Sequence, residues 1–334
     1  MKPDSTIAIL GAGSLGTSLA KLLSPKAGSI VFITIDGKCA EGINKDHRNP
    51  SFLTHIGLPD HVTATTDHRK ALDVPLVIFA VPTVGVRSEA EKLKAAGLPE
   101  STVLLTCTKG IERGTGERMS QILKDVFPNN PIAILTGPNH AEEIAEGLVT
   151  CAVVASENQA VATELQELFT FPHFRTYTSD DVAGLEIGGA VKNVYAIAAG
   201  MAHGLGLGDN AVAALVTRAL AEMTRLGVAM GGRAETFAGL SGVGDLIVTC
   251  FSEHSRNHRV GLAIGQGRTL GEAVDSLGMV AEGVPNSISI HETARERNVR
   301  TPIIDAVFSV LHEGKPAAVA MRELLDRDPR PENS

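Results

Sequence analysis

The sequence predicts a two-part α/β chain: a unit built on a largely parallel sheet over residues 1–182, an all-helical unit over 183–325 and a solvated tail at 326–334. Three observations carry that prediction. A β-type run near the start breaks directly into a Gly-x-Gly-x-x-Gly turn and a helical pattern; β-type and helical patterns then alternate as far as residue 169; beyond about residue 180 only helical periodicity remains. Alternation implies crossover connections, and so parallel strands. The change of periodicity marks the boundary, without any Pro/Gly/Ser linker.

Thr6-Ile7-Ala8-Ile9-Leu10 is the first strand, and it enters Gly11-Ala12-Gly13-Ser14-Leu15-Gly16 and a helix through Leu23. Strand, glycine turn and helix together are the signature of a Rossmann-type dinucleotide-binding domain. Gly11 permits the tight turn, Gly13 lets backbone approach a pyrophosphate, and Gly16 lets the helix pack closely on the strand, with the helix N-terminus facing the phosphates. A second strand at 30–35 ends at Asp36, 20 residues past Gly16. A carboxylate there bonds the adenosine ribose hydroxyls and repels a 2′-phosphate, which favours NAD over NADP. The alternative is that Asp36 simply starts the Asp36-Gly37 turn.

Further strands are predicted at 76–81, 102–106, 132–136 and 150–155, with helices at about 83–96, 115–125, 139–147 and 157–169. Open α/β sheets bind ligands at the carboxyl ends of their strands. Three segments stand there: Val81-Pro82-Thr83, Cys107-Thr108-Lys109-Gly110 and Gly137-Pro138-Asn139-His140. Lys109, immediately after a strand, is either a ligand-facing group or an ordinary surface lysine.

The second unit is predicted as helices at 181–205, 209–229, 256–265, 283–297 and 302–312. From Val182 to Gly208 the chain is small and apolar apart from two charges, Glu186 and Lys192. On a helix the neighbours of Lys192 one turn away are Gly188, Gly189, Tyr195 and Ala196, so its own helix offers no carboxylate. A buried ammonium without a partner either loses pKa or demands an anion from elsewhere, and both outcomes suit a catalytic acid. A lysine snorkelling to water from a packed helix is the plainer alternative. Gly244-Asp245-Leu246 reads as a turn, and Ser255-Arg256-Asn257 as either a phosphate-gripping cluster or a helix cap with a solvated arginine. A cleft between the two units is the natural place for a substrate.

Bulk properties narrow the classes. With 43% hydrophobic and 20% charged residues the chain is globular, and a net charge of −8 disfavours nucleic acid or an anionic membrane surface as partner. Cys39, Cys107, Cys151 and Cys250 lie far apart with no CxxC, as expected of reduced thiols in a cytoplasmic protein. The opening residues are too brief and wrongly flanked for a signal peptide, and Lys192, Asn193, His203 and several glycines argue against a membrane span at 187–207. No metal site is expected: Glu253, His254 and His258 merely bracket the Ser-Arg-Asn segment.

Taken in order, Gly-Ala-Gly-Ser-Leu-Gly at 11–16, Thr-Lys-Gly at 108–110, Gly-Pro at 137–138, Gly-Gly-Ala-Val-Lys-Asn at 188–193, Gly-Asp-Asn at 208–210, Gly-Asp-Leu at 244–246, Ser-Arg-Asn at 255–257 and Glu-Gly at 282–283 resemble the NAD(P)-dependent glycerol-3-phosphate dehydrogenase family of bacterial type. The resemblance spans about residues 5–325. It implies reversible reduction of dihydroxyacetone phosphate to sn-glycerol 3-phosphate in the cytoplasm, feeding glycerophospholipid synthesis, with NAD or else NADP as cofactor and a homodimer as the assembly. It further implies Lys192 as the proton-transferring residue, joined by Lys109, Asp245 and Asn193. Lys109, Gly137, Asn139, Lys192, Asp245, Ser255, Arg256 and Asn257 match substrate positions. Gly11, Gly13, Ser14, Leu15, Gly16, Asp36, Lys109, Ala141, Arg256, Val280 and Glu282 match dinucleotide positions. Four residues depart from the family pattern: Leu15 replaces an aromatic, Asn139 a Ser or Thr, His140 a Phe and His203 an Asp. Two other classes compete: a two-domain hydroxy-acid dehydrogenase acting on 6-phosphogluconate or ketopantoate, and a protein that binds NADH as a sensor without chemistry.

Overall fold

A computed structural model of the chain describes residues 4–277 and 280–326. Among the described residues eight strands form one sheet: β1 (Thr6–Leu10), β2 (Ser29–Ile33), β3 (Val62–Thr65), β4 (Leu76–Phe79), β5 (Val103–Thr106), β6 (Ile132–Thr136), β7 (Thr150–Ala155) and β8 (Phe174–Ser179). Their order is β3-β2-β1-β4-β5-β6-β7-β8. All neighbours are parallel except β6 and β7, which run antiparallel with Ile134 opposite Ala155. The sheet order reverses between β1 and β4, so the loops after those two strands diverge and leave a crevice at their carboxyl ends.

Helices α1 (Ser14–Leu23), α2 (Gly37–Asp46), α3 (Val86–Ala96), α4 (Met119–Val126), α5 (Ala141–Glu146) and α6 (Gln159–Phe169) connect the strands. Alternation along β1 decides which helix goes to which face. Ile7 and Ile9 pack with Leu19, Leu22, Ile43 and Leu165 on one side. Ala8 and Leu10 pack with Val86, Ala90, Leu93 and Ile122 on the other.

The helical unit consists of α7 (Val182–Gly204), α8 (Asp209–Ala229), α9 (Asp245–Phe251), α10 (Arg256–Gly265), α11 (Leu270–Asp275), α12 (Gly283–Glu296), α13 (Pro302–His312) and α14 (Ala317–Leu325). Helix α7 is its axis, buried on every side from Gly184 to Ala202. Close approach by α10 depends on missing side chains. A Cβ on Gly200 would stand 2.1 Å from the carbonyl oxygen of His258, and one on Gly261 would stand 2.0 Å from that of Ile197. No described helix is long and apolar enough to cross a membrane.

The fold departs from expectation in several places. Strands β3 and β8 and helices α2, α11 and α14 had no clear periodic signal; β3 is four residues long and β8, Phe-Arg-Thr-Tyr-Thr-Ser, is mostly polar because it lies at the sheet edge. The predicted helix at 115–125 begins only at Met119, since Gly114 and Gly116 both have positive φ. The Gly-Asp-Leu turn proves to be the start of a helix: one π-type turn at Leu240–Gly244 leads straight into α9. Of the solvated tail only Asp326 falls among the described residues.

Candidate active site

One cleft, with about 390 Å³ of space for small molecules, separates the carboxyl ends of the strands from the helical unit. Its sheet-side wall carries Gly13, Ser14 and Leu15, with Phe52, Ala80–Pro82 and Cys107–Lys109 beside them. Its helical wall carries Lys192, Asn193, Asp245, Thr249, Ser255–Asn257, Val280 and Glu282. Asn139, His140, Ala141 and Glu142 lie where the two walls meet. Gly11, Gly16, Asp36 and Gly137 do not line the cleft; Gly11 and Gly16 pack against each other behind it, and the Gly137 carbonyl accepts from Lys109.

The glycine turn is made as its spacing requires. Gly11 has φ +97° and donates its N–H to Ile33, while a Cβ on Gly16 would stand 2.1 Å from the Gly11 oxygen. Gly13 caps α1 with no side chain over the first N–H groups, and nothing stands within 4 Å of where its Cβ would be. An uncapped helix N-terminus with open space before it suits a phosphate. A pyrophosphate-bearing dinucleotide therefore fits this wall. Asp36 caps α2, accepting the N–H groups of Lys38 and Cys39 at Oδ1.

Opposite it, charge is concentrated. Asp245, 1% exposed, accepts from a lysine of each unit: Lys192 at Oδ1 and Lys109 at Oδ2, the latter at 2.8 Å. Burial opposes its charge, but the two ammonium groups outweigh that and hold its pKa below the usual carboxylate range. Lys192, at the middle of α7 and 5% exposed, also donates to the Thr249 hydroxyl at 2.8 Å. Burial pulls its pKa down to about 8; Asp245 works against the fall and Lys109 with it. An ammonium has three protons. Two of those on Lys192 are held by Asp245 and Thr249, and the third is left for the cleft that Lys192 lines. Lys109 is different, because all three of its protons are taken: by Gly137 O at 2.9 Å, Asn139 Oδ1 at 2.7 Å and Asp245.

Around this centre the remaining groups lock one element to another. Asn257 Nδ2 donates to Asn193 Oδ1 at 2.9 Å while its own oxygen accepts the Gly283 N–H at 2.8 Å, which joins α7, α10 and α12. The Ser255 hydroxyl caps α10 by accepting the His258 N–H. Arg256, in the first turn of α10, donates to the Val280 carbonyl at 2.7 Å and lines the cleft. Glu282, its pKa raised by burial, accepts the Thr83 N–H and hydroxyl, so α12 is fastened to the loop after β4. His140 is kept neutral, its pKa lowered to about 4 by burial and by the nearby lysines. His203 meets His258, Nδ1 to Nε2 at 2.8 Å, behind the first turns of α10.

The sequence singled out most of the charged groups but missed Thr249 and Phe52. Thr249 had a usable signal: it lies four residues after Asp245, one turn on if that stretch is helical, and the expected turn there hid it. Phe52 comes from a loop with no motif, and its approach to the glycine turn is a tertiary fact.

Comparison with known proteins bears on the whole chain. A family model described as the NAD-dependent glycerol-3-phosphate dehydrogenase N-terminus matches residues 6–162, and its C-terminal counterpart matches residues 181–322. A Clostridium perfringens protein named glycerol-3-phosphate dehydrogenase, NAD(P)+, is 44% identical over 329 residues, covering 98% of this chain and 99% of the relative. An Enterococcus faecalis protein of the same name is 44% identical over 331 residues, covering 98% and 97%. The crystal structure of glycerol-3-phosphate dehydrogenase from Coxiella burnetii superposes with a TM-score of 0.94 at 35% identity, covering 97% of this chain and 99% of that one. A ketopantoate reductase from Ralstonia eutropha reaches a TM-score of 0.59 at 15% identity over 96% of this chain and 99% of its own, a likeness of fold alone.

Proposed function

The chain belongs to the NAD-dependent glycerol-3-phosphate dehydrogenase family, an NAD(P)-dependent oxidoreductase by that membership, and from that premise we propose that it reduces dihydroxyacetone phosphate to sn-glycerol 3-phosphate, reversibly, with Lys192 as the proton donor. The observation that carries this reading is the third proton of Lys192: it belongs to a buried ammonium whose cleft also contains the uncapped glycine turn. When bound, the nicotinamide supplies the hydride that the ketone carbon takes up. Negative charge then develops on the carbonyl oxygen, and Lys192 meets it with a hydrogen bond and gives up its proton. In the alcohol-oxidising direction the neutral amine takes that proton back. A pKa of about 8 leaves both forms accessible near neutrality.

Asp245 and Thr249 aim Lys192, while Lys109 acts by holding Asp245 and Asn139 in place. Arg256, with Asn257 and the N–H groups at the start of α10, grips the substrate phosphate and so sets the ketone's position. On the other wall Gly13, Ser14, Leu15 and Ala141 take the dinucleotide, with Val280 and Glu282 closing over it. Asp36 caps α2 with Oδ1, and to its other oxygen we assign the ribose hydroxyls, its charge favouring NADH over NADPH. We place the boundary between the two units at residues 182 and 183. The product suits glycerophospholipid synthesis in the cytoplasm, and a homodimer is the assembly we expect.

Initial rates with dihydroxyacetone phosphate and with ketopantoate, each with NADH and with NADPH, and with 6-phosphogluconate and NAD+ or NADP+ in the oxidative direction, test the proposal. Turnover of the triose phosphate with NADH ahead of every other pair is expected. Preference for ketopantoate or for 6-phosphogluconate would overturn the substrate assignment, and cofactor binding without turnover would point to a sensor.

A further inference from the structure

Asn49 belongs to no motif and does not touch the cleft, yet it is 0% exposed and its amide is fully used. Its Nδ2 donates to the Ala12 carbonyl at 2.7 Å and to the Thr17 hydroxyl at 2.9 Å. Its Oδ1 accepts the N–H groups of Ser51 at 2.9 Å and Phe52 at 3.0 Å, with the Cys39 thiol at 3.8 Å. Two acceptors face the nitrogen and two backbone donors face the oxygen, so only this orientation of the amide satisfies its neighbours. One side chain thereby ties the glycine turn to the loop that carries Phe52, and both line the same wall of the cleft.

Peptide geometry gives that tie a direction. A trans peptide holds its C=O and the following N–H on opposite sides. With the Ala12 oxygen drawn back toward Asn49, the N–H of Gly13 is turned away from Asn49, which does not line the cleft, whereas Gly13, Ser14 and Leu15 do. The bond to Thr17, in the first turn of α1, holds the helix start in the same register. We propose that Asn49 is a positioning residue for the dinucleotide: its amide fixes the Ala12–Gly13 peptide with its donor facing the cofactor phosphates and couples that donor to the Phe52 wall. The inference rests on the glycine turn being the dinucleotide site, as proposed above.

Asn49→Asp separates the two halves of the role. The carboxylate keeps an acceptor for Ser51 and Phe52 but has no proton for Ala12 or Thr17, and it confronts the Ala12 oxygen with like charge. For the variant we expect the KM and Kd for NADH to rise about tenfold or more, as for the loss of one or two well-made hydrogen bonds at a site of charged ligand contact. The KM for dihydroxyacetone phosphate, measured at saturating NADH, stays within about twofold, a split that general loosening of the fold would not produce. Asn49→Ser, which removes the bridge without adding charge, carries the same comparison if the aspartate variant does not fold, with melting temperature measured on both. Gly13→Val is the control for the underlying site, since it puts a side chain into the open space before the turn. If Gly13→Val keeps wild-type NADH affinity, the cofactor site is misplaced. If Gly13→Val loses affinity while both Asn49 variants keep it, or if their losses fall equally on NADH and on the triose phosphate, the positioning role is wrong.

Discussion

The two walls of the cleft solve their problems with different materials. The sheet side offers mostly backbone and small or apolar groups at its glycine turn and the open end of α1, with Lys109 its one charged side chain lining the cleft and with Asn49 and Gly16 holding that backbone from behind. On the helical side it meets side-chain charge, Lys192 and Arg256 above all, aimed by Asp245, Thr249 and the Val280 carbonyl. Backbone donors cannot change their protonation near neutral pH, whereas a lysine drawn down to about 8 can. In the proposed reading the first wall mainly binds a constant group and the second moves the proton.

If that division holds, Lys192→Ala produces the largest effect. Turnover falls by about 10²–10⁴-fold, while NADH affinity, set by the glycine turn and by helical-wall residues other than Lys192, is retained; steady-state rates alongside fluorescence titration check it. Normal turnover in the folded variant would remove the lysine from the mechanism. Next comes Asp245→Asn, which leaves the buried ammonium of Lys192 and the partly buried one of Lys109 facing a neutral amide. Breaking a buried pair from one side costs about 3–5 kcal/mol, so denaturant unfolding should show a loss of that order.

Arg256→Ala is expected to raise the KM for dihydroxyacetone phosphate by about tenfold to a hundredfold, the worth of a charge-assisted contact, and also to lower kcat, since the phosphate anchors the ketone. An unchanged KM would shift phosphate recognition elsewhere. The smallest change is in pH dependence. Reduction needs the ammonium form, so kcat for that direction falls as pH rises through about 8, and the oxidative direction rises through the same value. Lys109 lowers the Lys192 pKa by repulsion and Asp245 raises it, so Lys109→Met should move the limb upward and Asp245→Asn downward. A limb that stays in place in both variants would mean that another group titrates.

The walls also differed in how far the sequence disclosed them. The glycine turn is contiguous, and each of its three glycines answers a local steric demand that can be inferred from spacing alone. Lys192 was conspicuous because its own helix held no counter-charge, but the identity of its partner was not local: Asp245 is 53 residues away. The same holds for Asn257, whose two partners come from α7 and α12. Short or edge elements such as β3 and β8 escaped because four to six residues with mixed polarity carry little periodic signal. Thr249 escaped because a π-type turn precedes α9 and the glycines around it suggest a loop. His203, which had no account from sequence, turns out to support α10 through His258.

Asp245 has a consequence for motion. Its two oxygens are shared between a lysine rooted in the sheet unit and one rooted in the central helix, so it stitches one wall of the cleft to the other. Swinging the halves apart would strand one cation from its counter-ion unless water entered to solvate both. Any motion that keeps this carboxylate seam intact is therefore less costly than one that parts the two units at it.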